Sequence, residues 1–329
     1  MIKQTILITG GAGYIGSVCV ETLLSHGHTA VVIDSLQTGF RESLPPEIPF
    51  YHGDCGDKAL LHTIFSSHPI DGVLHFAAHT QVEESMADPG KYFRNNVVKG
   101  ITLLDTMLAH TCRRFIFSST ASIFGEPAYL PVDEDHPKAP VNPYGESKLL
   151  FETILNWYHR AYGLAYASLR YFNAAGATTL RGDGRRKPTL IIPVIMQVLL
   201  GQRDHLTING NDYPTHDGTC IRDYIHVIDL AEAHILALDK LHTNPAACYN
   251  LGNGRGYSNL QVLQAAETVS QKTIPWSFGP RRPGDPAELI ASSDKARTEL
   301  GWNPRCEHLE AIVQSAWEWH SRYPKGYGR

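Results

Sequence analysis

Gln4-Thr5-Ile6-Leu7-Ile8-Thr9-Gly10-Gly11-Ala12-Gly13-Tyr14-Ile15-Gly16 decides the fold class of this 329-residue chain. Gln4 to Thr9 reads as a buried strand, and the glycine stretch follows at once. Ile15, Val18, Cys19 and Leu23 then recur at helical spacing until His26-Gly27 stops the pattern. Thr29 to Asp34 is a second strand ending in an acid. A glycine loop alone says little, but strand, loop, helix, strand and terminal Asp in this order are what a dinucleotide site needs. Gly10, Gly13 and Gly16 let backbone approach a pyrophosphate and let helix pack on strand, while the helix N-terminus faces the phosphate charge. Asp34 is placed to accept hydrogen bonds from an adenosine ribose; its charge would repel a 2′-phosphate, which favours NAD over NADP.

The alternation continues. Phe50 to Asp54 and Gly72 to Ala78 read as strands around a helix near Lys58 to Ser67, and Ala77-Ala78 are small enough to let a ligand near the backbone. Tyr92 to His110 reads as one helix, Arg114 to Ser119 as a strand, Pro143 to Tyr162 as a long helix closed by Gly163, and Leu164 to Tyr171 as a sixth strand. The expected fold is α/β: a doubly wound, Rossmann-type parallel sheet with ligands at the carboxyl ends of its strands, plus a smaller C-terminal α/β substrate domain. Texture changes after Asn173, so residues 1–173 are expected to form the cofactor domain and 174–329 the substrate domain, with a segment near 224–252 able to cross back. Helices are expected over Leu190 to Leu200, Ile228 to Leu241 and Leu260 to Ser270.

At the carboxyl edge of that sheet lies Asn142-Pro143-Tyr144-Gly145-Glu146-Ser147-Lys148. Asn142 suits an N-cap and Pro143 the first helical position. Tyr144 and Lys148 fall one turn apart on one face, with phenol and ammonium converging, and a nearby cation favours the phenolate. The pair could serve as a base near neutral pH. Thr120, at the end of the fifth strand, falls on the same edge.

Composition excludes several other classes. Net charge is −4 and hydrophobic residues make up 43%, with no basic excess for nucleic acid or anionic lipid. Six scattered cysteines without a Cys-x-x-Cys pair suggest reduced thiols, and seventeen histidines without ligand spacing suggest no metal site. The most apolar run, Leu190 to Leu200, holds Pro193 and Gln197 and is too short to span a bilayer. A soluble, cytoplasmic protein is expected.

Tyr14-Ile15-Gly16, His75-Phe76-Ala77-Ala78, Phe117-Ser118-Ser119-Thr120, Tyr144-x-x-x-Lys148, Arg170-Tyr171-Phe172-Asn173, Gly210-Asn211-Asp212-Tyr213-Pro214-Thr215 and Arg222-Asp223-Tyr224-Ile225-His226-Val227 occur in this order. Together they resemble the extended short-chain dehydrogenase/reductases and, more narrowly, the UDP-galactose (UDP-glucose) 4-epimerases. The likeness runs from Ile6 to Pro324-Lys325-Gly326-Tyr327.

The resemblance implies an enzyme that keeps NAD bound and interconverts UDP-galactose and UDP-glucose through a transient 4-keto sugar. It implies Tyr144 as the base, Lys148 as the group that holds the ribose and lowers the tyrosine pKa, and Thr120 as the hydrogen-bond partner of the reacting oxygen. For the cofactor it implies Gly10, Gly13, Tyr14, Ile15, Gly16, Asp34, Asp54, Cys55, Phe76, Ala77, Ala78, Thr80, Asn95, Tyr171 and Phe172. For UDP-hexose it implies Thr120, Asn173, Leu190, Asn209, Arg222, Arg282, Asp285 and Leu289. A homodimer through the Tyr92 and Pro143 helices is also implied, with no nucleic-acid or membrane partner.

Three positions depart from the family pattern. Thr80 stands where some members carry a cofactor-binding Lys. Arg185-Arg186-Lys187-Pro188-Thr189-Leu190 replaces a more usual acidic or Asn/His-containing segment near the nucleotide; its basic run reads as a solvated loop, with contact to the diphosphate as the alternative. Leu289 replaces a Tyr that narrows the sugar pocket in some members, which would admit UDP-N-acetylhexosamines. Rival readings are another nucleotide-sugar enzyme of the superfamily (dehydratase, decarboxylase or dehydrogenase) and a non-catalytic NAD-binding regulator. A 4,6-dehydratase would need an Asp-Glu pair after Thr120, where Ala121-Ser122 stand.

Overall fold

The computed structural model describes residues 3–282 and 284–327. The first part of the chain contains β1 (Thr5–Thr9), α1 (Tyr14–Ser25), β2 (Thr29–Asp34), β3 (Phe50–His52), α2 (Lys58–Ser67), β4 (Gly72–His75), α3 (Val82–Ala87), α4 (Pro89–Phe93), α5 (Lys99–Ala109), β5 (Arg114–Thr120), α6 (Pro143–Tyr162) and β6 (Ala165–Tyr171). The remainder contains β7 (Asn173–Ala175), α7 (Ile191–Leu199), β8 (Leu206–Asn209), β9 (Ile221–His226), α8 (Val227–Lys240), β10 (Ala246–Leu251), β11 (Gly256–Ser258), α9 (Asn259–Ser270), β12 (Trp276–Gly279), β13 (Glu288–Leu289), α10 (Asp294–Leu300) and α11 (Leu309–Arg322).

Seven strands form one sheet in the order β10-β6-β5-β4-β1-β2-β3. Every pairing in it is parallel, as the expected fold class requires. A parallel sheet buried on both faces needs apolar side chains on both, so its strands read as continuous runs. Alternate residues then feed two cores. Ile6, Ile8, Val32 and Ile116 pack with Val18 and Leu23 of α1 and with Leu230 and Leu238 of α8. Leu7, Val31, Val73, Phe115 and Phe117 pack with Phe65 of α2, Leu104 of α5 and Phe151 of α6. Each such fully buried side chain contributes about 1.5–3 kcal/mol.

Three elements depart from the expected bounds, the simplest being β3, which ends at His52 rather than Asp54. β4 stops at His75, because the Thr9 carbonyl accepts both Phe76 N–H (2.9 Å) and Ala77 N–H (3.1 Å) and the ladder cannot advance. The helix expected from Tyr92 to His110 is interrupted by a π-helical turn, Arg94–Val98, between α4 and α5. This wide turn places Asn96 inward, where it is 2 % exposed.

The crossing segment is narrower than 224–252. β9 remains with β7, β11 and β13 in a second, small sheet, whereas α8 packs on α1 and β10 extends the large sheet beside β6. A third core joins α7, α9 and α11 through Ile195, Met196, Val262, Ile312 and Val313. Among the described residues no helix is long and apolar enough to cross a membrane.

Candidate active site

The glycine loop and Asp34 meet at the carboxyl end of β1. Gly13 caps α1 in an extended conformation, with no side chain occupying the first-turn N–H groups and no acid in that turn. Gly10 has φ +71°, and a Cβ there would lie 2.6 Å from Ala77 N; at Gly16 a Cβ would lie 2.3 Å from the Gly10 carbonyl oxygen. Both are therefore fixed as glycine by close backbone approach. Asp34 accepts from Ala12 N–H (2.9 Å) and Leu36 N–H (2.8 Å). Burial raises its pKa, and these two bonds oppose the rise. Each oxygen keeps a lone pair for a further donor. Tyr14 leaves the loop to donate to the Gly176 carbonyl at 2.5 Å, while Ile15 packs against the core. A cradle that any side chain would fill, free helix N–H groups and a terminal carboxylate fit a dinucleotide.

Asp54 bonds Lys99 and accepts from Gly56 N–H at 2.8 Å, and Lys99 also donates to Asn95 at 3.0 Å. The Cys55 thiol is pushed up to about 12 by burial and then by Asp54, which leaves it unreactive. Phe76 lies 4.8 Å from the His234 ring, Ala77 and Ala78 form a small wall, and Thr80 is exposed. Tyr171 is buried and its hydroxyl bonds His234, so its side chain faces α8, while Phe172 packs with Phe124, Val132 and Leu289.

α6 begins as its sequence predicts: Asn142 Oδ1 accepts from Gly145 N–H at 2.8 Å and Pro143 occupies the first turn. Lys148 is 2 % exposed, donates to the Ser118 carbonyl at 2.7 Å and lies over the Phe117 ring. Its ammonium thus anchors to β5. Burial lowers its pKa to about 7, against the opposing charge of Glu152. Two residues beyond Ser118, Thr120 accepts from Ser122 N–H at 3.1 Å, which leaves its O–H free to donate. Burial raises the Tyr144 pKa, and the Thr120 hydroxyl opposes that rise.

Strand register carries the site onward. Thr120 pairs with Tyr171, Asn173 pairs with Tyr224, and Arg222 pairs with Leu289. Asn173 is therefore two residues, or about 7 Å, beyond the Thr120 level. Its Nδ2 is buried without a partner. Arg222 faces Asp285 at 3.7 Å. Asn209, in the amide orientation that satisfies both groups, accepts from Arg282 at 2.7 and 3.2 Å, and Arg282 reaches the Thr189 carbonyl (3.3 Å) beside Leu190. Arg185 pairs with the buried carboxylate of Asp183, so the first member of the basic run is a half-buried ion pair and not a free charge; Arg186 and Lys187 are exposed.

Several supporting residues escape motif reading. Asn96 accepts from His79 N–H (2.9 Å) and donates to its carbonyl (3.0 Å) and to Ser147 of α6 (3.0 Å), tying the small-residue wall to α6. Glu152 binds Ser119 and Arg170 beneath Lys148. Its spacing from Lys148, one further helical turn, was a visible signal; Asn96 offered none.

This loop, wall and reactive helix define a dinucleotide-dependent enzyme of the doubly wound class. The chain belongs to the NAD dependent epimerase/dehydratase family, whose model matches residues 6–252. It is 50% identical over 328 residues to a UDP-glucose 4-epimerase from Lacticaseibacillus casei, covering 99% of each chain. The UDP-glucose 4-epimerase from Bifidobacterium longum, solved with NAD+ and UDP, superposes with a TM-score of 0.94 at 37% identity, covering 98% of this chain and 100% of that one. The UDP-Glc/GlcNAc 4-epimerase from Campylobacter jejuni superposes with a TM-score of 0.85 at 41% identity, covering 97% and 99%.

Proposed function

We propose that this enzyme interconverts UDP-galactose and UDP-glucose by inversion at C4 through a transient 4-keto sugar, with NAD as cofactor. The observation that carries the reading is the register from Thr120 through Tyr171 to Asn173 and β9, which sets a buried, unpartnered amide one short step beyond the Tyr144–Thr120 pair. When bound, NAD supplies the redox chemistry that takes hydride from C4 and returns it to the other face.

Gly10, Gly13 and Gly16 would hold the pyrophosphate against the α1 N-terminus, and Asp34 the adenosine ribose. Asp54, Cys55, Phe76 to Ala78, Thr80, Asn95 and Phe172 would line the cofactor, with Tyr171 acting through its backbone and packing. Tyr144 takes the proton from the sugar 4-hydroxyl and later returns it, while Thr120 holds the same oxygen. Lys148, while charged, favours the Tyr144 phenolate. Asn173, Asn209, Arg222, Arg282, Asp285 and Leu190 would grip UDP, a remote anchor that leaves the hexose free to turn.

Leu289, packed in the Phe172 cluster, presents no hydroxyl or ring to the sugar, so UDP-N-acetylhexosamines are proposed as further substrates. Failure to turn over UDP-N-acetylglucosamine would remove that extension. The organisation that fits this chemistry is a cofactor unit over 1–173 and a substrate unit over 174–329, with 227–251 crossing back. Val98, Leu150, Trp157 and Tyr162 are exposed apolar side chains beside or on α5 and α6, which favours a homodimer through those helices. Six unpaired cysteines suit a cytoplasmic setting.

The deciding experiment incubates purified protein with UDP-galactose and no added NAD. UDP-glucose is the expected product. Stoichiometric NADH release or CO₂ evolution would favour one of the rival chemistries instead.

A further inference from the structure

The segment after α11 has no part in the chemistry above, yet it is tied to the cofactor side of the molecule. Tyr327 accepts from Gly182 N–H at 2.8 Å and its hydroxyl is 3.2 Å from the Gly182 carbonyl. Its ring lies 5.5 Å from Phe40 and 5.2 Å from Trp319. A Cβ on Gly184 would meet Tyr327 at 2.7 Å and Phe40 at 3.6 Å, so the two rings close over a glycine that must stay bare. Gly326 turns the chain into this position with φ +66°, and Gln202 holds the Pro324 carbonyl at 2.5 Å.

Phe40 belongs to the turn that grips the glycine loop from outside. Its N–H donates to the Ala12 carbonyl at 2.9 Å, and Ser43 donates to the same oxygen at 3.0 Å. A Cβ on Gly39 would lie 2.9 Å from that carbonyl. The other side of Ala12 is held by Asp34, through its N–H. Leu36, between Asp34 and Phe40, has φ +56°, a left-handed conformation that a leucine keeps only where its surroundings over-determine it.

We infer that Tyr327 is a positioning residue for NAD retention: through Phe40 it holds the 35–43 turn against Ala12 and so keeps the pyrophosphate loop closed. The inference rests on the reading of the protein as an NAD-retaining epimerase. Packing interactions of this kind act on the release rate more than on association.

The test measures bound NAD and its release rate in full-length protein, by displacement and fluorescence, for wild type, Tyr327→Ala, Phe40→Ala and the double variant. Each single variant is expected to release NAD about tenfold faster. The double variant should release it no faster than the worse single one, since the two side chains act through one contact. Unchanged release in a folded Tyr327→Ala protein overturns the inference, as do additive effects. Should the alanine variant fail to fold, Tyr327→Leu, which keeps bulk but loses the tilted ring contacts and both Gly182 contacts, is read in the same way. A wild type that holds no NAD would overturn the functional reading and this inference together, whereas NAD held equally by wild type and variants overturns this inference alone.

Discussion

Glu152 receives two arms of Arg170, at 2.8 and 3.1 Å, directly beneath the helix turn that carries Lys148. The same carboxylate accepts from Ser119 at 2.6 Å. Arg170 reaches on to the Glu134 carbonyl, and Glu134 accepts from Asn250 N–H at 2.7 Å. One buried ion pair thus joins α6, β5, β6 and β10 behind the Thr120 and Tyr144 hydroxyls. Its value lies in placement, since a buried pair is weak evidence of stability by itself.

Glu152→Gln should move the alkaline limb of the kcat profile toward acid. Glu152 is the charge that opposes the burial-driven fall of Lys148 to about 7. Without it the ammonium is lost at lower pH, so its help to the phenolate ends sooner. A fall of about tenfold in kcat at pH 8, with little change at pH 6, is expected. Ser119→Ala removes a bond but no charge, and should leave the profile in place.

Tyr144→Phe should lower kcat about 10²- to 10⁴-fold, the usual contribution of a positioned base. NAD content and thermal midpoint should stay close to wild type, because the hydroxyl makes no bond that the fold needs. Intact turnover in this variant would remove Tyr144 from the mechanism.

Arg222→Met should raise KM about 10- to 100-fold with kcat nearly unchanged, as expected when a charged hydrogen bond to a remote part of the substrate is lost. Arg222 sits 3.7 Å from Asp285 and donates to the Ile221 carbonyl, so it is pre-set for an anion. Steady-state kinetics with UDP-galactose, and UDP as competitive inhibitor, make the measurement. A matched loss of kcat would place Arg222 at the reacting centre instead.

Asp223→Asn should destabilise the protein by about 1–3 kcal/mol. The Asp223 carboxylate accepts from three backbone N–H groups: Asn253 (2.7 Å), Gly254 (2.9 Å) and Ala291 (3.1 Å). An amide turns one acceptor into a donor aimed at donors. Urea unfolding should show a lower midpoint with the same slope.

The sequence by itself determined the parallel sheet, the glycine loop with Asp34, the capped α6 and the order of the motifs, because these follow from local periodicity, backbone sterics and turn chemistry. Tertiary structure decided the rest. The return of β10 beside β6 depends on a pairing across about 80 residues (246 against 166), which no local pattern encodes. The π turn at 94–98 depends on what Asn96 finds inside. The phenol and ammonium were expected to converge from spacing alone, yet Lys148 donates to Ser118 while Thr120 meets Tyr144, so β5 serves as the common wall. Arg185 carries a run of positive charge in sequence and a buried partner in space. In each case the residue type was legible, but its partner lay far along the chain, and only packing could choose it.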